Sequence, residues 1–190
     1  ISFNMLFLEE IWSRNFTNLF VSPLKVSEII TALTLTALLR TLIGIVPAIL
    51  VAAPFFGVSL FDLGPPLFLL LLSLYCFGIT LGLLVTSGLL RYGPAFENIA
   101  WSSLFLLAPL GCIYYPLSIL PEWLQVLTKI LPLVYIFEEV RSILLNNVVN
   151  YSNIVIALEL NLIYFVGAVI IFYLAFYGAR KKGTLINVGE

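Results

Sequence analysis

Two adjacent carboxylates and a nearby arginine are the side chains of this sequence best suited by type to acid–base chemistry. Glu138 and Glu139 precede Arg141, and glycosidases use paired carboxylates to cleave sugars. Adjacent residues of a helix point to different faces, so these two carboxylates cannot act together on one bond. Glu138 and Arg141 are three residues apart and can form an ion pair. We therefore expect a structural or pathway-lining role for this group rather than a catalytic one.

Few other side chains are suited to catalysis or metal binding. The sequence has no histidine, which excludes histidine-dependent acid–base catalysis and histidine metal ligands. The two cysteines, Cys76 and Cys112, lie in separate apolar runs, so neither a zinc site nor a disulfide framework is expected. The formal net charge of −1 gives no support for nucleic-acid binding. We expect no catalytic site, no metal and no cofactor in this chain.

The composition is that of a membrane protein. Of the 190 residues, 62% are hydrophobic and 10% are charged, against about 45–50% and about 25% in an average soluble domain. One globular core cannot bury this excess, so most of the chain must be surrounded by lipid. The expected fold is an all-α, polytopic bundle of membrane-spanning helices that forms a single domain over residues 1–190.

The intervals between charged residues mark the expected membrane spans. Four charge-free intervals are each long enough to cross about 30 Å of hydrocarbon as a helix. Pro109 and Gly111 predict a kink or local unwinding in the third, which fits either ordinary packing or gating. The expected spans are 29–61, 65–90, 98–118 and 154–179. Residues 1–8 are too few to cross and are expected to end an earlier span.

The distribution of lysine and arginine predicts the orientation. If the chain after residue 8 is cytoplasmic, seven of the nine basic residues lie on that side, in agreement with the positive-inside rule. These seven are Arg14, Lys25, Arg40, Arg91, Arg180, Lys181 and Lys182, and the external two are Lys129 and Arg141. Residues 180–190 then form a cytoplasmic tail, and the expected location is the inner (plasma) membrane.

Residues 9–28 combine charges with an apolar stripe and are not expected to span the membrane. Trp12, Phe16, Leu19 and Phe20 are spaced so that they line one side of a helix. Pro23 would end this helix, because the residue before a proline avoids the α conformation. Such a helix either lies among the lipid headgroups or docks onto a soluble partner, and its periodicity is compatible with both.

Residues 119–153 are too apolar for an ordinary external loop. Pro121 and Glu122 are typical of a helix start, and the apolar run that follows ends at Pro132, after roughly half the length needed to cross the hydrocarbon. A second short helix is expected at about 133–145. The pattern predicts a re-entrant helical hairpin that enters the membrane from outside.

Arg40 and Glu159 are charged residues near or within expected spans. An ionisable residue inside the membrane is a candidate functional residue. Both positions are close to the ends of their spans, so their side chains can also extend to the membrane interface. Both interpretations stay open for both residues.

Two blocks of the sequence resemble the permeases of type-2 ABC exporters. The first block is Glu9-Glu10-Ile11-Trp12-Ser13-Arg14-Asn15, followed by Leu19-Phe20-Val21-Ser22-Pro23-Leu24 and Glu28. The second is Tyr115-Pro116-Leu117, Leu120-Pro121-Glu122-Trp123-Leu124, Pro132-Leu133-Val134-Tyr135 and Arg141. The blocks occur in the expected order with two expected spans between them, so the resemblance covers nearly the whole chain.

The resemblance implies a half-transporter with six spans, of which residues 1–8 would end the second, so that the N-terminus is expected to be incomplete. A second permease copy would complete the pathway, and ABC ATPase subunits would supply the energy. Since the sequence has no GxxxxGK[ST] phosphate-binding loop, ATP and Mg are expected in the partner. The implied ATPase-coupling residues are Trp12, Arg14, Asn15, Phe16, Leu19 and Pro23. The implied external-gate residues are Pro121, Trp123, Pro132 and Arg141.

The main alternative is a secondary transporter or channel that does not use ATP. Such a protein is expected to show an internal repeat or paired broken helices in both halves, whereas only the third expected span and its hairpin are clearly broken here. A membrane-embedded enzyme acting on lipid is a further alternative, but without histidine or a carboxylate cluster its chemistry is hard to place. Drugs, lipids, glycans and peptides are all compatible substrates.

Overall fold

The computed structural model describes residues 6, 9, 25–56, 64–93 and 96–182, and this part of the chain contains helices and no strands. Six helices follow one another: α1 (Val26–Phe56), α2 (Pro66–Tyr92), α3 (Glu97–Leu110), α4 (Glu122–Thr128), α5 (Pro132–Asn146) and α6 (Tyr151–Lys182). A short 3-10 turn at Leu117–Ile119 lies between α3 and α4. The predicted all-α fold is confirmed for the described residues.

Three of these helices are long and apolar enough to cross a membrane. They cover Val26–Val51 of α1, Pro66–Tyr92 of α2 and Tyr151–Lys181 of α6. At about 1.5 Å per residue, even the shortest exceeds the roughly 30 Å of the hydrocarbon layer. They overlap the first, second and fourth expected spans.

The third expected span is shorter in the structure than in the prediction. Helix α3 ends at Leu110 after 14 residues, a rise of about 21 Å, so the third expected span is not one continuous helix and the count of four complete spans is not confirmed. Pro109 lacks the N–H that would continue the helical bonding. Cys112 has a φ of 53°, a left-handed conformation that interrupts an α-helix. The unwinding expected near Pro109 and Gly111 is confirmed.

The two short helices after this break lie close to where the sequence placed them. Helix α4 has seven residues, fewer than expected, because the chain already turns at residues 129–131. Pro132 occupies the first turn of α5, where its missing N–H costs no helical hydrogen bond. Helix α5 ends at Asn146, and Asn147 after it has a φ of 52°, the left-handed conformation common at helix C-termini.

The chain packs as two compact units. One unit comprises Ile1–Ile45, Gly78–Ala100 and Val166–Glu190, and in it the Phe96 ring packs on Gly88 so closely that it leaves no room for a Cβ there. The other comprises Val46–Phe77 and Trp101–Phe165. Its core consists of Leu70, Ile136, Ile143, Ile154 and Ala157. This core joins α2, α5 and α6 and thereby positions α5 beside the start of α6.

Candidate functional site

The broken end of α3 is stabilised by polar side chains. Arg141 Nη2 donates hydrogen bonds to the carbonyl oxygen of Cys112 and, at 3.2 Å, to that of Ile113. The Tyr115 hydroxyl donates to the carbonyl oxygen of Pro109 at 2.8 Å. The last carbonyls of a helix lack helical partners, and an unpaired one costs several kcal/mol in lipid. Arg141 and Tyr115 thus make the break compatible with an apolar surrounding.

Glu138 connects Arg141 to the chain that follows the break. Its Oε1 accepts from Arg141 Nη1 at 2.7 Å and from the Leu117 backbone N–H at 2.8 Å. The ion pair expected from the three-residue spacing is confirmed. The 28- and 29-residue separations of Arg141 from its carbonyl partners carry no signal in the local sequence, so sequence reasoning missed those contacts.

Glu139 points the other way and is fully buried. Its Oε1 accepts from the Asn150 backbone N–H at 2.6 Å, and its Oε2 accepts from Asn153 Nδ2 at 3.0 Å. Both donors lie at the start of α6, where the helix dipole favours a negative charge. The expectation that the adjacent carboxylates face different directions is confirmed. Sequence reasoning missed this contact, although asparagines flanking a helix start are a usable signal.

A second buried polar contact was also missed, and it joins α6 to α2. Asn161 Nδ2 donates to the Ser73 carbonyl oxygen at 2.9 Å and to Ser73 Oγ at 2.6 Å. Both residues are buried. Hydrogen bonds of this kind hold membrane helices together, so this pair fixes α6 against α2 within its unit.

Helix α4 exposes apolar residues and buries a polar one. Trp123, Val126 and Leu127 are each more than half exposed, as is Ile130 just after the helix, whereas Thr128 is buried. This polarity is the reverse of that of a helix on a water-soluble protein. Of the four residues expected at an external gate, the structure places Pro121 immediately before α4, Trp123 on its exposed side, Pro132 buried at the start of α5, and Arg141 at the break of α3.

Arg40 forms an ion pair with Glu9, the first residue of the expected coupling segment. Arg40 Nη1 and Nη2 donate to Glu9 Oε1 and Oε2 at 2.9 and 2.7 Å, a two-bond geometry that fixes the direction of the contact. The hydrogen bonds from Arg40 hold the pKa of Glu9 below its ordinary value. The residues expected to couple to an ATPase lie outside the described residues: Trp12, Arg14, Asn15, Phe16, Leu19 and Pro23.

Glu159 lies on the exposed side of α6. Its neighbours on the helix surface include Leu162 and Ile163, which are exposed as well. Within the described part of the chain, Glu159 has no ion-pair partner. The same part contains no group of three acidic or cysteine side chains able to hold a metal ion.

Comparison with known proteins agrees with this architecture. The family model of the ABC-2 type transporter matches residues 1–145, which include the expected coupling segment, α1 to α4 and nearly all of α5. Neither a search of curated proteins nor a search of solved structures finds a match. The matched segment is more than half of the chain and contains two of the three spanning helices. The chain therefore belongs to the ABC-2 type transporter family, and it is a permease component of an ABC transporter and a multi-pass membrane protein.

Proposed function

We propose that this chain is the permease half of an ATP-driven exporter, with its C-terminus in the cytoplasm. A second copy completes the pathway, and separate ATPase subunits bind ATP and Mg and supply the energy. The observation that carries the proposal is the family match over residues 1–145. The exposed apolar surfaces of α1 and α6 support a lipid-embedded position for both helices.

The coupling of ATP hydrolysis to the spans is assigned to residues 9–28. The ion pair between Glu9 and Arg40 supports this assignment, because it attaches the beginning of the segment to α1. A displacement of the segment by an ATPase would reach α1 through this pair as well as through the continuous chain at Lys25. The aromatic residues Trp12 and Phe16 are the expected anchors of the ATPase contact, since aromatic residues dominate most interfaces.

The external gate is assigned to the break of α3 together with α4 and α5. Helix α3 is too short to cross on its own, and the apolar exposed side of α4 supports its insertion into the outer leaflet. Irregular backbone is tolerated at membrane depth only where protein satisfies its polar groups, and Arg141 does so for Cys112 and Ile113. These features support a broken span followed by a re-entrant hairpin.

The test is to weaken the coupling segment in the permease assembled with its ATPase. Phe16→Ala and Arg14→Ala should each lower the affinity for the ATPase about thirtyfold, because removing an interface anchor costs about 2 kcal/mol. Substrate-stimulated ATP hydrolysis should fall with it. Phe68→Ala is the matched control, since Phe68 is an exposed phenylalanine at the start of α2, away from the segment.

Copurification of the ATPase and its hydrolysis rate are measured for all three variants, together with membrane insertion. Unchanged assembly and hydrolysis in both coupling variants would contradict the docking role and leave a helix that rests on lipid. Transport that proceeds without any ATPase would instead support a secondary transporter or channel.

A further inference from the structure

The two adjacent carboxylates of α5 hold two different segments of the chain. Glu138 binds the backbone N–H of Leu117, which precedes the hairpin. Glu139 binds Asn150 and Asn153, which follow it. Successive helical residues are about 100° apart around the axis, so neighbouring side chains can reach opposite sides of α5. Helix α5 is therefore clamped between the broken end of α3 and the start of α6.

The two sides of this clamp differ in burial. The Glu139 side chain is fully buried, whereas the side chains of Glu138 and Arg141 are 32% and 22% exposed. A buried carboxylate that loses its donors cannot replace them with water, so its contacts are the more costly to break. The contacts of Glu138 and Arg141 are partly exposed. The Glu139 side is thus the better protected of the two, and the Arg141 side is the less protected.

The Arg141 side holds two carbonyls that follow the end of α3, whereas the backbone N–H groups of the same residues bond to carbonyls of α3 itself. The chain leaves the helix at Gly111, and Arg141 binds the two next carbonyls, those of Cys112 and Ile113. Cys112, one of the two residues so bound, is fully buried. We call residues 111–117, held by Glu138 and Arg141, the joint. If Arg141 withdrew, the carbonyls of Cys112 and Ile113 would lose this donor.

We propose that Arg141 is a positioning residue for transport, which holds the joint closed and releases it during each cycle while Glu139 keeps α5 fixed to α6. Only the timing of the release depends on the proposed ATP-driven function. The closed state itself depends on contacts within one chain. This role accounts for the position of Arg141, which binds two carbonyls and one carboxylate at the place where the span is broken.

The native thiol of Cys112 reports on the joint directly. In a Cys76→Ser background, the purified permease with its ATPase is placed in lipid nanodiscs, and the rate of Cys112 modification by a small thiol reagent is measured. Arg141→Lys keeps the positive charge, but one ammonium group cannot serve both carbonyls and Glu138 in the same geometry. This variant should raise the rate at least about tenfold without nucleotide, as expected for a lost charge-assisted hydrogen bond.

Arg91→Lys is the matched control, because Arg91 is an exposed arginine at the end of α2, and its rate should equal that of the parent. Glu138→Gln is the second variant. It keeps an acceptor for Leu117 but weakens the hold on Arg141, so it should raise the rate by a smaller factor. In the parent protein, ATP and Mg should raise the rate, since the joint opens during turnover.

A rate in Arg141→Lys within about twofold of the parent, in protein that elutes as a single species, would overturn the closed clamp. Hydrolysis of ATP by the parent complex without faster Cys112 modification would overturn the release. The proposed function would be contradicted by a different result, namely that no ATPase assembles with the permease. In that case the comparison of Arg141→Lys with Arg91→Lys still decides whether the clamp exists.

Discussion

At the scale of single residues, a charge within an apolar helix is stabilised by a partner that its neighbours in sequence do not reveal. Arg40 lies in the middle of α1, and its partner Glu9 is 31 residues away. The side chains of the pair are 44% and 46% exposed, so the rest of the described chain shields it little. An exposed ion pair contributes little to stability, and we assign it the role of directing the coupling segment toward α1.

The first prediction concerns the pH dependence of this pair. Because the pKa of Glu9 is lowered in the folded protein, the contact contributes above the ordinary glutamate pKa of about 4.3 and is lost as the pH falls through the lowered value. Glu9→Gln should remove this dependence and lower the Tm at neutral pH by about 2 °C or less. Thermal unfolding of the purified protein between neutral and acidic pH measures both effects.

The reciprocal exchange provides the control for this experiment. Arg40→Glu alone places two carboxylates together and should be the least stable variant. The double variant Glu9→Arg with Arg40→Glu should recover most of the loss, because the pair is restored in reverse. Equal stability of the single and double variants would show that the ion pair is not formed in the membrane.

At the scale of elements, the end of α3 depends on a close contact that only glycine permits. A Cβ added at Gly111 would lie 2.9 Å from the Leu107 carbonyl oxygen and 2.9 Å from Leu133 Cδ1. The carbonyl belongs to the backbone of α3 and cannot rotate away as a side chain would. The start of α5 is therefore packed directly on the last turn of α3, which brings Arg141 within reach of the carbonyls that follow.

The prediction for this element is that Gly111→Ala destabilises the protein by about 1–3 kcal/mol, the usual range for overpacking a filled site. Gly167→Ala is the matched control, because Gly167 is a helical glycine with nothing within 4 Å of an added Cβ. Thermal unfolding of the two variants beside the parent gives the measurement. A Tm for Gly111→Ala as high as that for Gly167→Ala would contradict the close packing.

The elements also show how far the sequence alone can be followed. The three long helices can be predicted from the length of their apolar segments, because this length can be read from each segment without the rest of the chain. The break of α3 is marked locally by Pro109 and Gly111, but the contact of Arg141 with it does not follow from local sequence, because Arg141 is 29 residues from Cys112. The hairpin helices were placed nearly correctly, since Pro121 and Pro132 mark their starts locally. The role of Glu139 at the start of α6 was missed, because a single helix cannot reveal which neighbour its side chain contacts.

At the scale of the whole molecule, large apolar side chains cover much of the surface of the long helices. Ile43, Leu50, Phe68 and Leu174 are each at least 70% exposed. Soluble proteins rarely expose contiguous apolar surface on this scale, whereas lipid tails solvate it without cost. By contrast, α2 is the most buried of the three spanning helices and carries buried Ser73, Thr80, Thr86 and Ser87. These four polar side chains thus lie in the helix that is best shielded from lipid.

The last prediction concerns the membrane orientation, which follows from the seven-to-two distribution of basic residues. In a variant without Cys76 and Cys112, a cysteine at Gly183 should be labelled by a membrane-impermeant reagent only from the cytoplasmic side. A cysteine at Asn150 should be labelled only from outside. Asn150 suits this purpose because its side chain is exposed, while the bond to Glu139 uses its backbone N–H and survives the substitution. Since α6 alone separates the two positions, labelling of both from the same side would mean that α6 does not cross the membrane. The external position of the hairpin, and with it the gate assigned to Arg141, would then have to be abandoned.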